Sequence, residues 1–452
     1  MGEKIDLVPN VWRAPLMTAP TPLPVVIIGG GFSGAMLAAR LAERGQASIL
    51  IERQGEAGPG LAYSTAQDAH RLNVRAERMS AMADRPQDFI DWLTTHHPDQ
   101  ADPNGFVSRR LYGHYLRDRL AAVERACPGL IQRVSGEATA VEGCAALLSD
   151  GRRISGRAVV LATGNPAPRT TPNGQSPRIL SDPWAVGALT PIQPDDAVLI
   201  LGAGLTMVDV VLALEAQGWR GQAVALSRRG LLPRAHGSHH DAPVALPTDA
   251  LEGSLSRRLA VARRLAETHG WRGVMEGYRP ITAALWRAAT TMERARFLRH
   301  LRPWWDVHRH RIAPQVEARL NALIADHRLT VRAARIREVS ACADTVTGTV
   351  DPHTDQTPRT VSAAWLIDCT GPGHDAAATP LTAALIAEGR ARLDPLKLGL
   401  DLDEAGRVLH ADGTPDPDLY VLGPPARAAF WETIAVPDIR QRIEALTDVL
   451  TA

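Results

Sequence analysis

Lysine is almost absent from this chain of 452 residues: Lys4 and Lys397 stand alone, and arginine carries the rest of the positive charge. With abundant alanine and only 4% aromatics, that bias fits a codon-composition effect better than a binding signature. Charge of one sign is also missing. A formal net charge of +1 gives no global argument for nucleic acid or an anionic membrane as partner. The four cysteines, Cys127, Cys144, Cys342 and Cys369, are scattered and form no C-x-x-C, which argues against a redox-active dithiol. A reducing cytosol is the simplest compartment, so the expected location is cytoplasmic. No Ser/His/Asp triad and no metal-spaced His/Cys cluster is evident. The nearest candidate, His236-Gly237-Ser238-His239-His240, lacks helical context and carboxylate support, so no metal is expected. The longest apolar run is broken by glycines and is no membrane span. Residues 1–23 are polar and proline-containing without an apolar core, and read as a loose arm rather than a secretory signal.

What is present is concentrated in Pro24–Arg53. Val25–Ile28 is an unbroken apolar run, as expected of a parallel strand buried on both faces. Gly29, Gly31 and Gly34 follow as G-x-G-x-x-G: a tight turn, a close backbone approach to a pyrophosphate, and close helix–strand packing. Phe32–Glu43 reads as the helix whose N-terminal N–H groups hold phosphates. A second strand, Ala47–Ile51, ends at Glu52. That acid lies about 20 residues beyond the glycines, where a carboxylate accepts from a ribose 2′-OH. The glycines alone are weak evidence; strand, glycines, helix, strand and acid in register are strong.

Beyond Arg53, Gly55–Ser64 is too glycine-rich for regular structure and reads as a loop, and His70–Met82 as a polar, basic one. Pro86–Leu93 and Arg109–Arg125 carry apolar residues at helical spacing. Gly136–Ile154 suggests a small antiparallel meander, and Ala158–Leu161 a further buried strand, followed by Ala162-Thr163-Gly164. A Pro/Asn/Gly/Thr stretch then marks a domain boundary. A second nucleotide signal begins with the strand Ala197–Leu201. Gly202-Ala203-Gly204-Leu205-Thr206-Met207 opens a helix to about Gln217, and Gln222–Leu226 is the next strand. Met207 replaces the third glycine, so helix and strand should sit slightly further apart. No acid follows. Ser227-Arg228-Arg229 stands there instead, which suits a 2′-phosphate, although a solvated arginine pair would read the same way. A charge-assisted hydrogen bond contributes about 1.5–3 kcal/mol, so these arginines predict at least a tenfold preference for NADPH over NADH.

Leu251–Ala325 is mostly helical and arginine-rich, with Arg287, Arg294, Arg296, Arg299 and Arg302 forming either a solvated face or an anion-attracting wall. Trp304 to Arg311 joins indoles, imidazoles and guanidinia. That set can stack on a planar anionic substrate, or lock two domains together; residue chemistry alone leaves both readings standing. Strands resume at Leu329–Ile336, Thr345–Val350 and Ala364–Ile367, with Thr370-Gly371 echoing Thr163-Gly164. A final strand, Leu419–Leu422, precedes a C-terminal helix over Thr433–Leu450.

Taken together, the chain resembles the two-dinucleotide-domain flavoproteins. Within them it looks like the family that includes a flavin-dependent urate hydroxylase and amino-acid N-hydroxylases such as nitrosuccinate synthase. The resemblance rests on GGGFSG at Gly29–Gly34, GPGLAYS at Gly58–Ser64, HRLNVRAERMS at His70–Ser80 and LGAGLTMVD at Leu201–Asp209. LSRRGLLPR at Leu226–Arg234, RPWWDVHRHR at Arg302–Arg311 and FWETIAVPDIR at Phe430–Arg440 complete it. It implies an α/β fold of two Rossmann-like dinucleotide-binding domains, the FAD domain being discontinuous and interrupted by an NAD(P)H domain with a helical insertion. The implied layout is 24–165 for the first FAD part, 166–195 as linker, 196–365 for the NADPH domain with helices over about 251–325, and 366–452 for the FAD return segment. Gly29, Gly31, Phe32, Ser33, Gly34, Glu52 and Arg53 would then hold FAD, with Leu61 and Asn73 lining the flavin. Thr163, Gly164 and Gly371 would flank the cofactors, and Ile434 would face the flavin edge at the C-terminal helix. Gly202, Gly204, Thr206, Arg228 and Arg229 would bind NADPH. Asn73 and Arg75 are the candidate catalytic residues, and Trp305, His308 and His310 the candidate substrate contacts. Gly423 is followed by Pro424 rather than the Asp of many relatives, which argues against it as a direct ligand. The implied activity is an NADPH-dependent FAD monooxygenase. It would hydroxylate a small polar or anionic substrate with O2 through a flavin C4a-hydroperoxide. The alternative is a flavin reductase or dehydrogenase serving another acceptor.

Overall fold

The computed structural model describes residues 23–166, 168, 176–352, 357–373 and 375–452. Residues 1–22 of the expected N-terminal arm, and 167 and 169–175 of the expected linker, lie outside the described residues. Val25–Ile28 and Ala158–Leu161 are buried along their whole length, as their apolar runs demand. They form the centre of a six-stranded sheet in the order Arg407–Leu409, Pro415–Val421, Ala158–Leu161, Val25–Ile28, Ser48–Glu52, Ile131–Ser135. The pairings are parallel apart from the antiparallel edge strand Arg407–Leu409. One face of this sheet carries the helices Phe32–Glu43, Arg109–Ala126 and Val436–Thr451, whose apolar sides merge with it in one core. The meander expected over Gly136–Ile154 is present as Ala138–Glu142, Ala145–Leu148 and Arg153–Ser155.

The second sheet has seven strands in the order Arg359–Ala363, Val346–Pro352, Leu329–Ala341, Ala223–Ser227, Val198–Leu201, Trp365–Asp368, Ile179–Leu180. The helix Leu205–Ala216 packs on it, with Met207 fully buried in the shared core. Between Ala223–Ser227 and Leu329–Ala341 the chain makes its helical insertion, Thr248–Arg309, and then the helix Pro314–Ala325.

The structure differs from the sequence expectations in four places. Trp365–Asp368 pairs in parallel with Val198–Leu201, so the expected return to the first domain at residue 366 falls inside a strand of the second sheet. The expected linker 166–195 contains the edge strand Ile179–Leu180, which pairs with Leu366–Ile367. A two-residue strand shows no periodicity, and its turn-rich flanks conceal it. Gly55–Ser64 is not all loop: Gly60–Tyr63 forms a helical turn against the glycine motif. Arg359–Ala363 adds an edge strand to the second sheet, antiparallel to Val346–Pro352, beyond the strands expected there.

Candidate functional site

The first glycine turn is built by close backbone approach. A Cβ on Gly34 would stand 1.9 Å from the Gly29 carbonyl oxygen, so the third glycine lets helix Phe32–Glu43 lie against the turn. Gly29 has φ +107° and faces the Ala162 carbonyl, which brings Thr163 and Gly164 beside the turn. No side chain caps Gly31, the N-cap residue, leaving the helix start available to an anion. The Gly30 N–H donates to Glu52 Oε2 at 2.7 Å and the Gln54 N–H to Oε1 at 2.8 Å. These two bonds aim the Glu52 carboxylate at the mouth of the turn, and each oxygen keeps a further acceptor position. Arg53 points away, toward Glu137 at 3.8 Å, both side chains being largely exposed. Gly423 has φ +79° and packs on Ser33, whose Oγ would lie 2.4 Å from an added Cβ. That close approach leaves no room for a side chain at this position.

The second turn repeats the design with one difference. Gly202 faces the Cys369 carbonyl as Gly29 faces Ala162, which places Thr370 and Gly371 beside the second cradle rather than the first. Gly204 caps helix Leu205–Ala216 without a side-chain partner, and a Cβ there would meet nothing within 4 Å. Thr206 is half-buried in the first turn of that helix. Arg228 and Arg229 follow the next strand. They line a cleft of about 430 Å³ together with Arg299 and Arg335. Arg299 comes from the helical insertion, where Phe297–Leu301 makes a π-helical turn. Sequence reading noted Arg299 among the insertion's arginines but did not place it there.

Between the halves runs the segment Arg71–Arg75. Asn73 is half-buried in a small cavity with Arg109, Leu205, Asp209 and Ile312. Its carbonyl meets His236 Nε2 at 3.0 Å. Burial first, then Arg311, Arg75 and Arg279, push the His236 imidazole down to about 3 despite that bond, so it is neutral at pH 7. Arg75 is buried. Its guanidinium donates to the carbonyls of Asn104 at 2.7 Å and Gly237 at 2.6 Å, and lies over Phe106. Arg75 is therefore a clamp between the halves, not a group free for chemistry. Arg109 and the buried Asp209 pair at 2.9 Å, and His70 Nε2 meets the Asp209 carbonyl at 3.2 Å, a second tie across the same boundary.

The helical insertion encloses a cavity of about 500 Å³. Its wall includes Trp271, Tyr278, Trp286, Phe297 and Trp305, and from the return segment Trp431. Trp286 and Trp431 stack with centroids 4.7 Å apart, and the Trp286 indole donates to the Ala428 carbonyl at 2.8 Å. Trp305 and His308 both reach this chamber. His308 takes a 2.7 Å contact to the Trp304 carbonyl and sits edge-on to Trp271. His310 does not line it; its ring is 3.9 Å from Glu432 Oε2. The sequence reading thus joined three residues that the fold divides between two places. It missed Trp271, Tyr278, Trp286, Phe297 and Trp431. A signal was there: four of the ten tryptophans fall in 271–305, in a chain otherwise poor in aromatics.

Trp431 takes a positive φ of 60°, uncommon for a bulky non-glycine residue. It opens a run of orphaned polar atoms. Trp431 Nε1, Glu432 Oε2 and Thr433 Oγ1 are buried without a hydrogen-bond partner, and Thr433 is 1% exposed. The next residue, Ile434, is 44% exposed, and Leu61 beside the first turn 60%. An uncovered apolar side chain at Ile434, directly after unpaired buried donors and acceptors, fits a planar, polar-edged ring system such as a flavin.

Two glycine-turn cradles on two parallel-centred sheets, one with an acid and one with arginines beyond it, define a two-domain dinucleotide-binding α/β protein. Residues 26–166 match the family model described as FAD-NAD(P)-binding. No curated protein sequence matches the chain. Its fold is similar to that of L-lysine 6-monooxygenase from Pseudomonas syringae, at TM-score 0.66 and 17% identity, covering 95% of this chain and 99% of that one. It is equally similar to the ornithine N-hydroxylase of Kutzneria sp. 744, determined with reduced FAD, NADP+ and L-ornithine, at TM-score 0.65, 16% identity and coverage of 95% and 99%. The ornithine hydroxylase of Pseudomonas aeruginosa gives TM-score 0.65, 15% identity and coverage of 95% and 98%. Among the described residues no helix is long and apolar enough to cross a membrane, and no group of three His, Cys, Asp or Glu residues could hold a metal ion.

Proposed function

We propose that the protein is an NADPH-dependent FAD monooxygenase. The observation that carries this reading is the pairing of unlike cradles: Glu52 beyond the first glycine turn and Arg228–Arg229 beyond the second, in a fold shared over 95% of the chain with lysine and ornithine hydroxylases. Within that class the sequence motifs favour the relatives of urate hydroxylase and nitrosuccinate synthase. The net reaction is R–H + NADPH + H⁺ + O2 → R–OH + NADP⁺ + H2O. Bound FAD supplies the two-electron chemistry with O2.

The chain's own residues bind, orient and exclude water. Helix starts at Gly31 and Gly204 would hold pyrophosphates, and Glu52 would accept from the ribose of FAD. Arg228 and Arg229 hold the 2′-phosphate of NADPH. Leu61 and Ile434 would supply apolar cover to bound FAD, and the start of helix Val436–Thr451 would supply positive dipole to it. Asn73 offers an amide at the reactive face, its backbone fixed by His236. Arg75 is a positioning residue that holds the Asn73 segment to the loop at Gly237.

The test is stoichiometric. Purified protein should carry FAD, oxidise NADPH with matched O2 uptake, and place one atom of ¹⁸O2 in its product. Dye reduction without oxygen incorporation, across a broad substrate screen, would give the reductase reading instead.

A further inference from the structure

The chamber of the helical insertion does not suit the small polar or anionic molecule that sequence resemblance implies. Its volume of about 500 Å³ lies within the ~300–1,000 Å³ of small-molecule pockets, and its wall is aromatic and aliphatic. Five charged side chains reach it, Arg234, Arg258, Arg263, Glu293 and Arg294, and two of them are engaged by the protein itself. Glu293 closes a capping box with Thr290. Arg294 donates to the carbonyls of Trp286 and Arg287. Arg258 differs: one arm donates to the Leu251 carbonyl at 3.0 Å, while its Nε is buried without a partner. A free amino acid brings an ammonium and a carboxylate, and the one carboxylate this wall gives is that of Glu293, whose Oε2 already accepts from the Thr290 N–H and hydroxyl. Burying such a charge unpaired is strongly unfavourable. An aromatic ring, in contrast, meets edge and face partners on several sides.

The chamber also touches the expected flavin edge. Trp431 is part of its wall and is followed directly by Glu432, Thr433 and Ile434, the run of orphaned polar atoms. Trp305, also on the wall, holds Glu432. A ligand in the chamber is therefore separated from that segment by one side-chain layer.

We propose that the chamber lined by Trp271, Trp286, Trp305 and Trp431 is the substrate site, and that it takes an aromatic, ring-bearing molecule with a single anionic group facing Arg258. The word substrate rests on the monooxygenase reading; the ligand class rests on the chamber alone.

The probe is 8-anilinonaphthalene-1-sulfonate, an apolar ring system with one anionic group, titrated by fluorescence into the FAD-loaded full chain. Saturable one-to-one binding is expected, unaffected by L-ornithine or L-aspartate. Ala262→Trp, which fills the chamber from helix Leu255–His269, should abolish it while FAD content and near-ultraviolet circular dichroism are retained. Arg258→Ala should weaken it about tenfold. Arg264→Ala, on the exposed side of the same helix, should leave it as in the wild type. Absence of binding, binding that survives Ala262→Trp, or displacement by the amino acids would overturn the proposal. FAD content and NADPH-driven O2 uptake are measured on the same sample. Failure of those two with the probe still seated would overturn the monooxygenase reading and leave the ligand class supported.

Discussion

The indole N–H of Trp305 donates to Glu432 Oε1 at 2.7 Å, across 127 residues of sequence. It joins the aromatic chamber to the segment that leads into the C-terminal helix. Glu432 is buried, and its carboxyl is held below the usual range against the upward push of burial by Arg309, His310 and this bond. Trp305→Phe leaves a buried carboxylate oxygen without its donor, a loss of about 1–3 kcal/mol. Chemical denaturation should show that loss. The variant should also uncouple the two regions: probe binding in the chamber perturbs the flavin absorbance of the wild type but not of Trp305→Phe. An unchanged flavin response would show that the link is structural only.

Two glycines separate folding from ligand binding. Gly204 has φ −89° and open space where a Cβ would stand, so Gly204→Ala fits the unliganded fold without strain. Only a bound pyrophosphate would meet the new methyl. Gly204→Ala should keep its melting temperature and FAD content yet reduce with NADPH at least about tenfold more slowly, a change of about 1.4 kcal/mol in transition-state stabilisation. Gly34→Ala would force a methyl to 1.9 Å from the Gly29 carbonyl oxygen and should yield little folded protein. A Gly204→Ala variant with wild-type reduction would remove the second cradle from the mechanism.

These contrasts show what the sequence made legible. Local motifs announced themselves because their geometry is local: strand, glycine turn, helix and acid lie within 30 residues, and both turns form where expected. The parallel strands were readable as apolar runs because both faces are buried. The chamber was not, because its wall is drawn from helices over Thr248–Arg309 and from Trp431, joined only by tertiary packing. His310 and His308 are neighbours in sequence, but the helix Arg302–Arg309 ends between them, so their rings part toward Glu432 and the chamber. Arg75 read as a catalytic cation because nothing in the sequence shows that the Asn104 and Gly237 carbonyls occupy it.

The arginine cleft makes a prediction about cofactor choice. Arg228 and Arg229 are exposed, with room beside them lined by Arg299 and Arg335. Replacing Arg228 and Arg229 together with alanine should raise the KM for NADPH by at least about tenfold, from the loss of charge-assisted bonds worth ~1.5–3 kcal/mol, and leave NADH nearly untouched. Arg299→Ala should move KM in the same direction by a smaller factor, because its guanidinium approaches from the insertion. Steady-state kinetics with both nucleotides decides it: equal losses for NADPH and NADH would deny the arginines a phosphate role.

His236 gives the acid response a definite sign. Its imidazole, pressed between the Asn73 carbonyl and the Phe106 ring, is pushed down to about 3, with burial the chief cause. In the unfolded chain it titrates near the ordinary value of about 6.5. Between those two values the unfolded state binds a proton that the folded state refuses, so stability falls as pH falls, by up to about 1.4 kcal/mol per unit. The contribution is complete above about pH 6.5 and fades through the window down to about 3. His236→Gln keeps an N–H for the Asn73 carbonyl and removes the titration. Relative to its value at pH 7, its stability at pH 5 should exceed that of the wild type by about 2 kcal/mol. His70, His308 and His310 are also pushed down by burial, so a residual slope of the same sign remains in the variant. Urea midpoints at the two pH values measure the difference. Identical pH slopes for the two proteins would mean that the folded state takes up the His236 proton as readily as the unfolded chain does, and that the contact with Asn73 does not hold the imidazole neutral.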